Sequence, residues 1–143
     1  MEHTILVRYG ETWLKSFSVR RQFERIMINN IRFAMPDAKF RIFPGRIWVM
    51  TNKSSKLFSK IFGIDSYSPV LVREKDIDKI KAASLQLTKK WRCGSFAVRS
   101  RRTDKSFPLN SRQIENDVGK IIDFPCDLSN PKNTLYIEIR DHA

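Results

Sequence analysis

The sequence is poor in the residue types on which most catalytic sites depend. Of its 143 residues, only two are cysteine and two are histidine. Two cysteines cannot build a disulfide-dense secreted scaffold or a multi-cysteine zinc cluster, so a reduced chain is the simplest interpretation, with a single pairing as the alternative. His3 and His142 lie at the two ends, and no internal histidine can serve as a base for a nucleophile such as Cys93. The sequence therefore predicts no catalytic residue and no metal site, and favours a binding protein.

Glycine is scarce as well, and long apolar runs are missing. The five glycines stand singly, so no glycine-rich loop is available to hold nucleotide phosphates. The longest apolar runs, such as Ile47–Met50, fall far below the ~20 residues needed to span a bilayer. Glu2 and His3 interrupt the segment where a signal peptide would need apolar residues. We therefore expect a cytoplasmic chain that carries no cofactor of its own.

Positive charge is the most prominent feature that the sequence does have. Lysine and arginine number 27 against 15 acidic residues, which gives a formal net charge of +12, and both halves of the chain are basic. Such a charge points to nucleic acid, an anionic membrane surface or an acidic protein as a partner. A membrane-binding helix needs an unburied apolar face, whereas we expect the apolar faces here to lie in the core. Nucleic acid therefore ranks first, and a basic protein without such a partner is the alternative.

The pattern of apolar residues predicts an α+β protein with two domains, over residues 1–74 and 75–143. In the first, apolar periodicity and turn signals give the order β-α-β-β-α-β, which is that of a ferredoxin-like domain. Its predicted elements are a strand over 4–9, a helix from Val19 to Met35 capped by Ser18, a hairpin of Lys39–Phe43 and Arg46–Thr51 around Pro44-Gly45, a short helix over Lys56–Phe62, and a strand over 67–73.

The second domain is predicted to follow the order α-β-α-β. Its predicted elements are a helix over Asp76–Trp91, a strand over Ser95–Arg101, a helix capped by Asn110 or Ser111 that includes Ile121 and Ile122, and a strand over Thr134–Arg140. In the first strand Phe96 and Val98 should face the core, which leaves Arg99 and Arg101 on the opposite face. No internal repeat and no low-complexity segment interrupts either domain.

Two basic groups are candidates for contact with RNA. The first surrounds the N-terminus of the first long helix, where backbone amides and the helix dipole favour a phosphate; it comprises Lys15, Arg20, Arg21 and Arg25. A solvated helix face is its equal alternative. The second follows a strand into a basic loop; it comprises Arg99, Arg101, Arg102 and Lys105. Phe107 in that loop either stacks on a base or fills the core, and we favour the core. No base-reading pattern is visible, so backbone and shape recognition of a folded RNA is expected.

At these same residues the sequence resembles the tRNA 4-thiouridine synthetases, also called tRNA sulfurtransferases. The matching segments run in order along nearly the whole chain: Val7–Ser16, Arg20–Glu24, Asn29–Ile31, Phe62–Val70, Phe96–Ser111, Gly119, Asp127–Pro131 and Tyr136–Arg140. The resemblance implies a ferredoxin-like domain followed by a THUMP domain. In that family the pair captures tRNA, and THUMP binds the acceptor stem near the 3′ end. Lys15, Arg20 and Arg21 match the basic part of the first motif, and the second basic group matches the THUMP motif.

The family's chemistry belongs to a further domain that nothing in this sequence resembles. An ATP-pyrophosphatase domain adenylates the uridine through a Ser-Gly-Gly-x-Asp-Ser loop, and a persulfide cysteine delivers sulfur, which many members also supply for thiamine synthesis. ATP is therefore expected only for that domain, and neither Cys93 nor Cys126 matches the sulfur-carrying cysteines. The resemblance implies tRNA, such a catalytic domain and a sulfur donor as partners, for a stand-alone subunit or for a piece of a longer enzyme. A THUMP adaptor for tRNA methylation or cytidine acetylation is the alternative.

Overall fold

The computed structural model describes residues 2–10 and 16–141, which form two compact units divided between Leu71 and Val72. Each unit combines helices with strands and has an apolar core of its own. The α+β class predicted from the sequence is therefore confirmed, and each unit is described separately below.

The first unit is a four-stranded antiparallel sheet with one long helix. Its elements are β1 (His3–Arg8), α1 (Phe17–Ala34), β2 (Lys39–Phe43), β3 (Arg46–Thr51), a 3-10 helix (Ser55–Lys60) and β4 (Ser66–Val70). The strands are arranged β2-β3-β1-β4, so β3 and β1 are the inner strands. The predicted ferredoxin-like order is confirmed. The hairpin lies where Pro44-Gly45 predicted it, because Gly45 adopts a φ of 75°, which favours glycine.

The core of this unit lies between α1 and one face of the sheet. Ile5 and Val7 of β1 and Ile47 and Val49 of β3 are fully buried, since they alternate with residues of the opposite face. The helix contributes Met27, Ile28 and Ile31, with Met35 directly after its end.

Two features of α1 differ from what the sequence predicts. Phe23 and Ile26 share the apolar helical spacing of Met27 and Ile31, yet they are 46% and 50% exposed, because the buried stripe follows Met27 and Ile31. The helix also begins earlier than predicted: the carbonyl oxygen of Ser16 accepts the first helical hydrogen bond from Arg20 N at 2.9 Å, so Ser18 lies inside the first turn.

The second unit places two helices around a parallel strand pair. Its elements are α2 (Ile77–Thr88), β5 (Phe96–Arg102), α3 (Ser111–Gly119) and β6 (Asn133–Ile139). The predicted α-β-α-β order is confirmed. Asp76 caps α2 by accepting hydrogen bonds from two backbone amides, and Asn110 forms a reciprocal capping box with Gln113 at the start of α3. Both helices end before the predicted residue, at Thr88 and Gly119.

One face of the β5–β6 pair packs against α3 and builds the second core. Val98 pairs with Leu135, and both contact the cluster that includes Ile114 and Val118 of α3. Phe107 joins this cluster at 5% exposure, which confirms the core assignment of that side chain.

Candidate nucleic-acid interface

The first basic group divides over two sides of α1. Lys15 lies outside the described residues. Arg20 and Glu24 occupy the sheet-facing side, where Tyr9 Oη donates a hydrogen bond of 2.6 Å to Glu24 Oε1. Burial, together with that hydrogen bond, raises the pKa of Tyr9 well above its usual range. Arg20 is half-buried, and its Nε is buried without a hydrogen-bond partner. The Arg20 side chain is thus partly enclosed near the N-terminal end of α1.

Arg21 and Arg25 are exposed on α1 beside Glu24. All three line a shallow groove of about 260 Å³ between the helix and β2, along with Arg32, which the sequence-based site omitted. The Arg21 guanidinium sits 4.9 Å from the Phe17 ring centroid. No acidic residue lies in the first helical turn, so the positive end of the helix dipole is not offset locally. This side of the helix is suited to an anionic ligand.

The second basic group is built on β5. Arg99 and Arg101 are exposed on the face of the strand pair opposite α3, as the alternation predicted. Their partners on β6 are Tyr136, which is 74% exposed, and Glu138. Arg99 Nη2 donates a hydrogen bond of 2.6 Å to the Leu128 carbonyl oxygen, which orients this guanidinium along the surface. The face therefore offers two cations beside an exposed aromatic ring, and one carboxylate.

The other two cations of this group differ from each other in role. Arg102 is half-buried, and its Nη1 donates a hydrogen bond of 2.9 Å to the Phe107 carbonyl oxygen, so it holds the basic loop in place. Lys105 is exposed in the loop itself. The sequence could not separate these roles, because alternation along β5 predicts only the direction of each side chain.

A buried carboxylate organises the loop that follows β5. Asp104 accepts hydrogen bonds from the Ser106 amide at 2.8 Å and from Lys75 Nζ at 2.6 Å. Lys75, followed by the hydrogen bonds of Ser106, holds the pKa of the Asp104 carboxyl well below its usual range. With Phe107 anchored in the core, these contacts fix the loop that carries Lys105.

Metal-ligand groups and membrane-spanning helices were sought in the described part of the chain. Residues 2–10 and 16–141 contain no group of three or more His, Cys, Asp or Glu side chains that could hold a metal ion. Within the same residues no helix has the length and apolar character to cross a bilayer. Cys93 and Cys126 are both exposed, and neither forms a disulfide bond.

Comparison with known protein families covers both units. Residues 4–68 match the model of the ThiI ferredoxin-like domain, and residues 74–143 match the model of the THUMP domain. The family expectation drawn from the sequence motifs is therefore confirmed for both parts of the chain.

Individual relatives agree with this assignment. A probable tRNA sulfurtransferase of Methanocaldococcus jannaschii is 36% identical over 94% of this chain, which spans 41% of that relative. The crystal structure of PH1313 from Pyrococcus horikoshii has a TM-score of 0.78 and 31% identity, covering 96% of this chain and 51% of its own. A 4-thiouridine synthetase solved with RNA and bound ATP has a TM-score of 0.83 and 25% identity, covering 99% of this chain and 39% of its own. The chain thus spans well under two thirds of the relatives it matches.

Proposed function

Because the chain belongs to the ThiI ferredoxin-like and THUMP domain families, we propose that it is a tRNA-binding module for 4-thiouridine formation. In this function it captures the acceptor stem and 3′ end of tRNA. The observation that carries the proposal is the occurrence of both domains in one chain whose β5 presents exposed arginines. The similarity to a synthetase solved with RNA supports it.

The exposed cations take the phosphate contacts in this proposal. Arg99 and Arg101 lie two residues apart on one strand face, a spacing of about 6.6 Å, and Tyr136 beside them can stack on an unpaired base. Lys105 extends the same stretch of the chain. Arg21 and Arg25 add a second basic surface in the other unit. Arg102 acts through the loop backbone that it holds, and Arg20 lies half-buried at the start of α1.

The chemistry of thiolation is assigned to other protein parts. Adenylation of the uridine would require an ATP-pyrophosphatase domain, and sulfur transfer would require a sulfur donor. The chain would meet both in the cytoplasm, either within one longer polypeptide or as separate subunits. ATP would be bound by the catalytic domain and not by this chain.

Binding of the purified chain to folded tRNA over a salt series tests the proposal. Competitors are the same tRNA lacking its 3′ end and an unrelated RNA hairpin. We expect preference for the intact tRNA. Replacing Arg99 and Arg101 by alanine should lower the slope of log affinity against log salt by roughly 1–2, at ~0.7–0.9 per lost phosphate contact.

The matched control removes two exposed cations on the α3 side of the same unit. The pair Arg112→Ala with Lys120→Ala changes the net charge equally but leaves the β5 face intact. Its slope should stay close to that of the unmodified chain. Equal binding of all three RNAs, or equal slopes for the two double variants, would refute tRNA capture through β5.

A further inference from the structure

The outer face of the sheet in the first unit combines aromatic and basic side chains. The strand register places three rows of four residues on this face, away from the core and α1. They are Val70, Thr4, Met50 and Lys39; then Ser68, Leu6, Trp48 and Arg41; then Ser66, Arg8, Arg46 and Phe43. These rows include four cations and no carboxylate. We call these twelve residues the outer sheet face.

An aromatic cluster lies on the inner and edge strands of this face. The rings of Trp48 on β3 and Phe43 on β2 are 4.8 Å apart between centroids, inclined at 55°. The Arg41 guanidinium lies 5.7 Å from the Trp48 centroid and 6.0 Å from that of Phe43. Both rings are half-buried, which leaves part of each accessible. Leu6 at the centre of the face is only 6% exposed, so the accessible part of the cluster lies toward the edge strand β2, where Lys39 and Arg41 are exposed. A planar base would stack on the cluster from that edge.

The cations on this face have contacts of their own: Arg8 Nη1 donates a hydrogen bond of 3.0 Å to Ser68 Oγ, and Lys39 Nζ lies 3.8 Å from Glu2 Oε1. Arg8 and Arg46 are direct cross-strand partners, and like charges in that relation repel each other. Lys39 and Arg41 are exposed two residues apart on the edge strand β2, so they form a short basic row beside the rings.

We propose that the outer sheet face is a second RNA-binding surface, which takes an unpaired single-stranded segment. Bases would stack on Trp48 and Phe43, and phosphates would contact Lys39 and Arg41. Four-stranded sheets of this strand order bind single-stranded RNA in this manner when aromatic residues occupy their outward positions. An acidic protein would use the same cations but gain nothing from the rings, so RNA is the occupant that the whole face fits.

The surface differs from the β5 face in location. The β5 face belongs to the second unit and is assigned to the acceptor stem and 3′ end of tRNA, whereas the outer sheet face belongs to the first unit, where Trp48 reports on it separately. Each can therefore fail or succeed without the other.

The first experiment observes Trp48 directly in the full chain. The three tryptophans are labelled with 5-fluorotryptophan, and the Trp48 signal is assigned from the variant Trp48→Phe. A ten-nucleotide oligouridine is then titrated, with an RNA hairpin of equal length as comparison. The Trp48 fluorine signal should shift as oligouridine is added and reach a plateau, and the midpoint of this titration gives the dissociation constant. An unmoved Trp48 signal at saturation would overturn the proposal.

The second experiment separates stacking from charge. Trp48→Leu should weaken oligouridine binding about 5- to 100-fold. Lys39→Gln with Arg41→Gln should lower the salt slope by about 1.4, at ~0.7 per phosphate contact with a single strand. Since both residues are exposed on an edge strand, this double variant keeps the test valid even if Trp48→Leu fails to fold.

Matched controls complete the design. Lys56→Gln with Lys60→Gln removes the same charge from the 3-10 helix, which packs Phe58 into the core on the other side of the sheet. This variant should bind oligouridine with an unchanged slope. A slope lowered equally in both double variants, or displacement of oligouridine by a ten-residue oligoglutamate at equal concentration, would overturn the assignment to RNA. Arg99→Ala with Arg101→Ala should leave the shift of the Trp48 signal with oligouridine intact, because that signal reports on the outer sheet face alone.

Discussion

Replacement of Phe107 separates a core role from an RNA-contacting role in the basic loop. The side chain is 5% exposed and packs in the cluster with Ile114 and Val118. Truncating such a buried phenylalanine to alanine costs about 3–5 kcal/mol of the free energy of unfolding. The second unit comprises residues 72–143, and a unit of that size has a stability of roughly 4–11 kcal/mol. Phe107→Ala therefore removes a large share of it.

The milder variant Phe107→Leu allows both properties to be measured on a folded protein. We expect a cost of about 1 kcal/mol and a melting temperature lower by about 4–8 °C. Circular dichroism gives the melting temperature, and hydrogen exchange at the β5 amides assigns the loss to this unit. Below the transition, tRNA affinity should equal that of the unmodified chain, because the leucine still anchors the loop.

A contrasting aromatic residue provides the control. Tyr136 is 74% exposed, so Tyr136→Leu should change the stability by less than about 0.5 kcal/mol. If Phe107→Leu instead left the melting temperature unchanged and weakened tRNA binding about 5- to 100-fold, Phe107 would be a stacking residue. That result would refute the packing argument made for the loop.

Three further changes probe single contacts. Asp104→Asn should lower the melting temperature at pH 7. It should also flatten the acid-side loss of stability, because a carboxyl whose pKa is lowered by Lys75 stabilises the fold above about pH 4 and loses this effect as pH falls; parallel acid profiles would contradict this. Tyr9→Phe should cost about 1–2 kcal/mol by removing the donor to Glu24. The pKa of Tyr9 is raised in the folded state, so the stability that Tyr9 provides should decline above about pH 10. Melting temperatures measured at alkaline pH should show this decline in the unmodified chain and not in Tyr9→Phe. Asn110→Ala should lower the free energy of unfolding in urea by about 1 kcal/mol, because the capping box is lost. An unchanged urea midpoint would show that the capping box does not stabilise the fold.

Sequence patterns predicted the elements of the fold well where local chemistry determines them. The β2–β3 hairpin has its predicted bounds because a glycine supplies the turn between two alternating segments. The buried stripe of α1 was less accessible to prediction. Apolar and polar residues occur on both of its sides, and the partner of Glu24 is a tyrosine on another element. Only the packed sheet decides which side is inward, which is why the spacing of Phe23 and Ile26 did not predict their exposure.

The candidate sites show the same limit. Runs of cations along one segment, as in β5, are visible in the sequence. Alternation carried one residue beyond the predicted strand end places Arg102 on the face of Phe96 and Val98, opposite Arg101, but its bond to a carbonyl group five residues away depends on the folded loop. The outer sheet face escaped notice because its rows join residues from four strands. Alternation in Lys39–Phe43 and Arg46–Thr51 was a signal for it, but the rows depend on strand register.

The strand order of the first unit has a consequence for synthesis of the chain. Strand β1 emerges from the ribosome before its hydrogen-bonding partners β3 and β4, since Thr4 pairs with Met50 and Val70. At about 5–20 residues per second, β1 waits roughly 3–13 s for its last partner. During that interval a strand with Ile5, Leu6 and Val7 exposes apolar groups and both edges. Codon choice and chaperone access over this interval should therefore influence the yield of folded protein more than changes in β2, which pairs with β3 as soon as the hairpin is made.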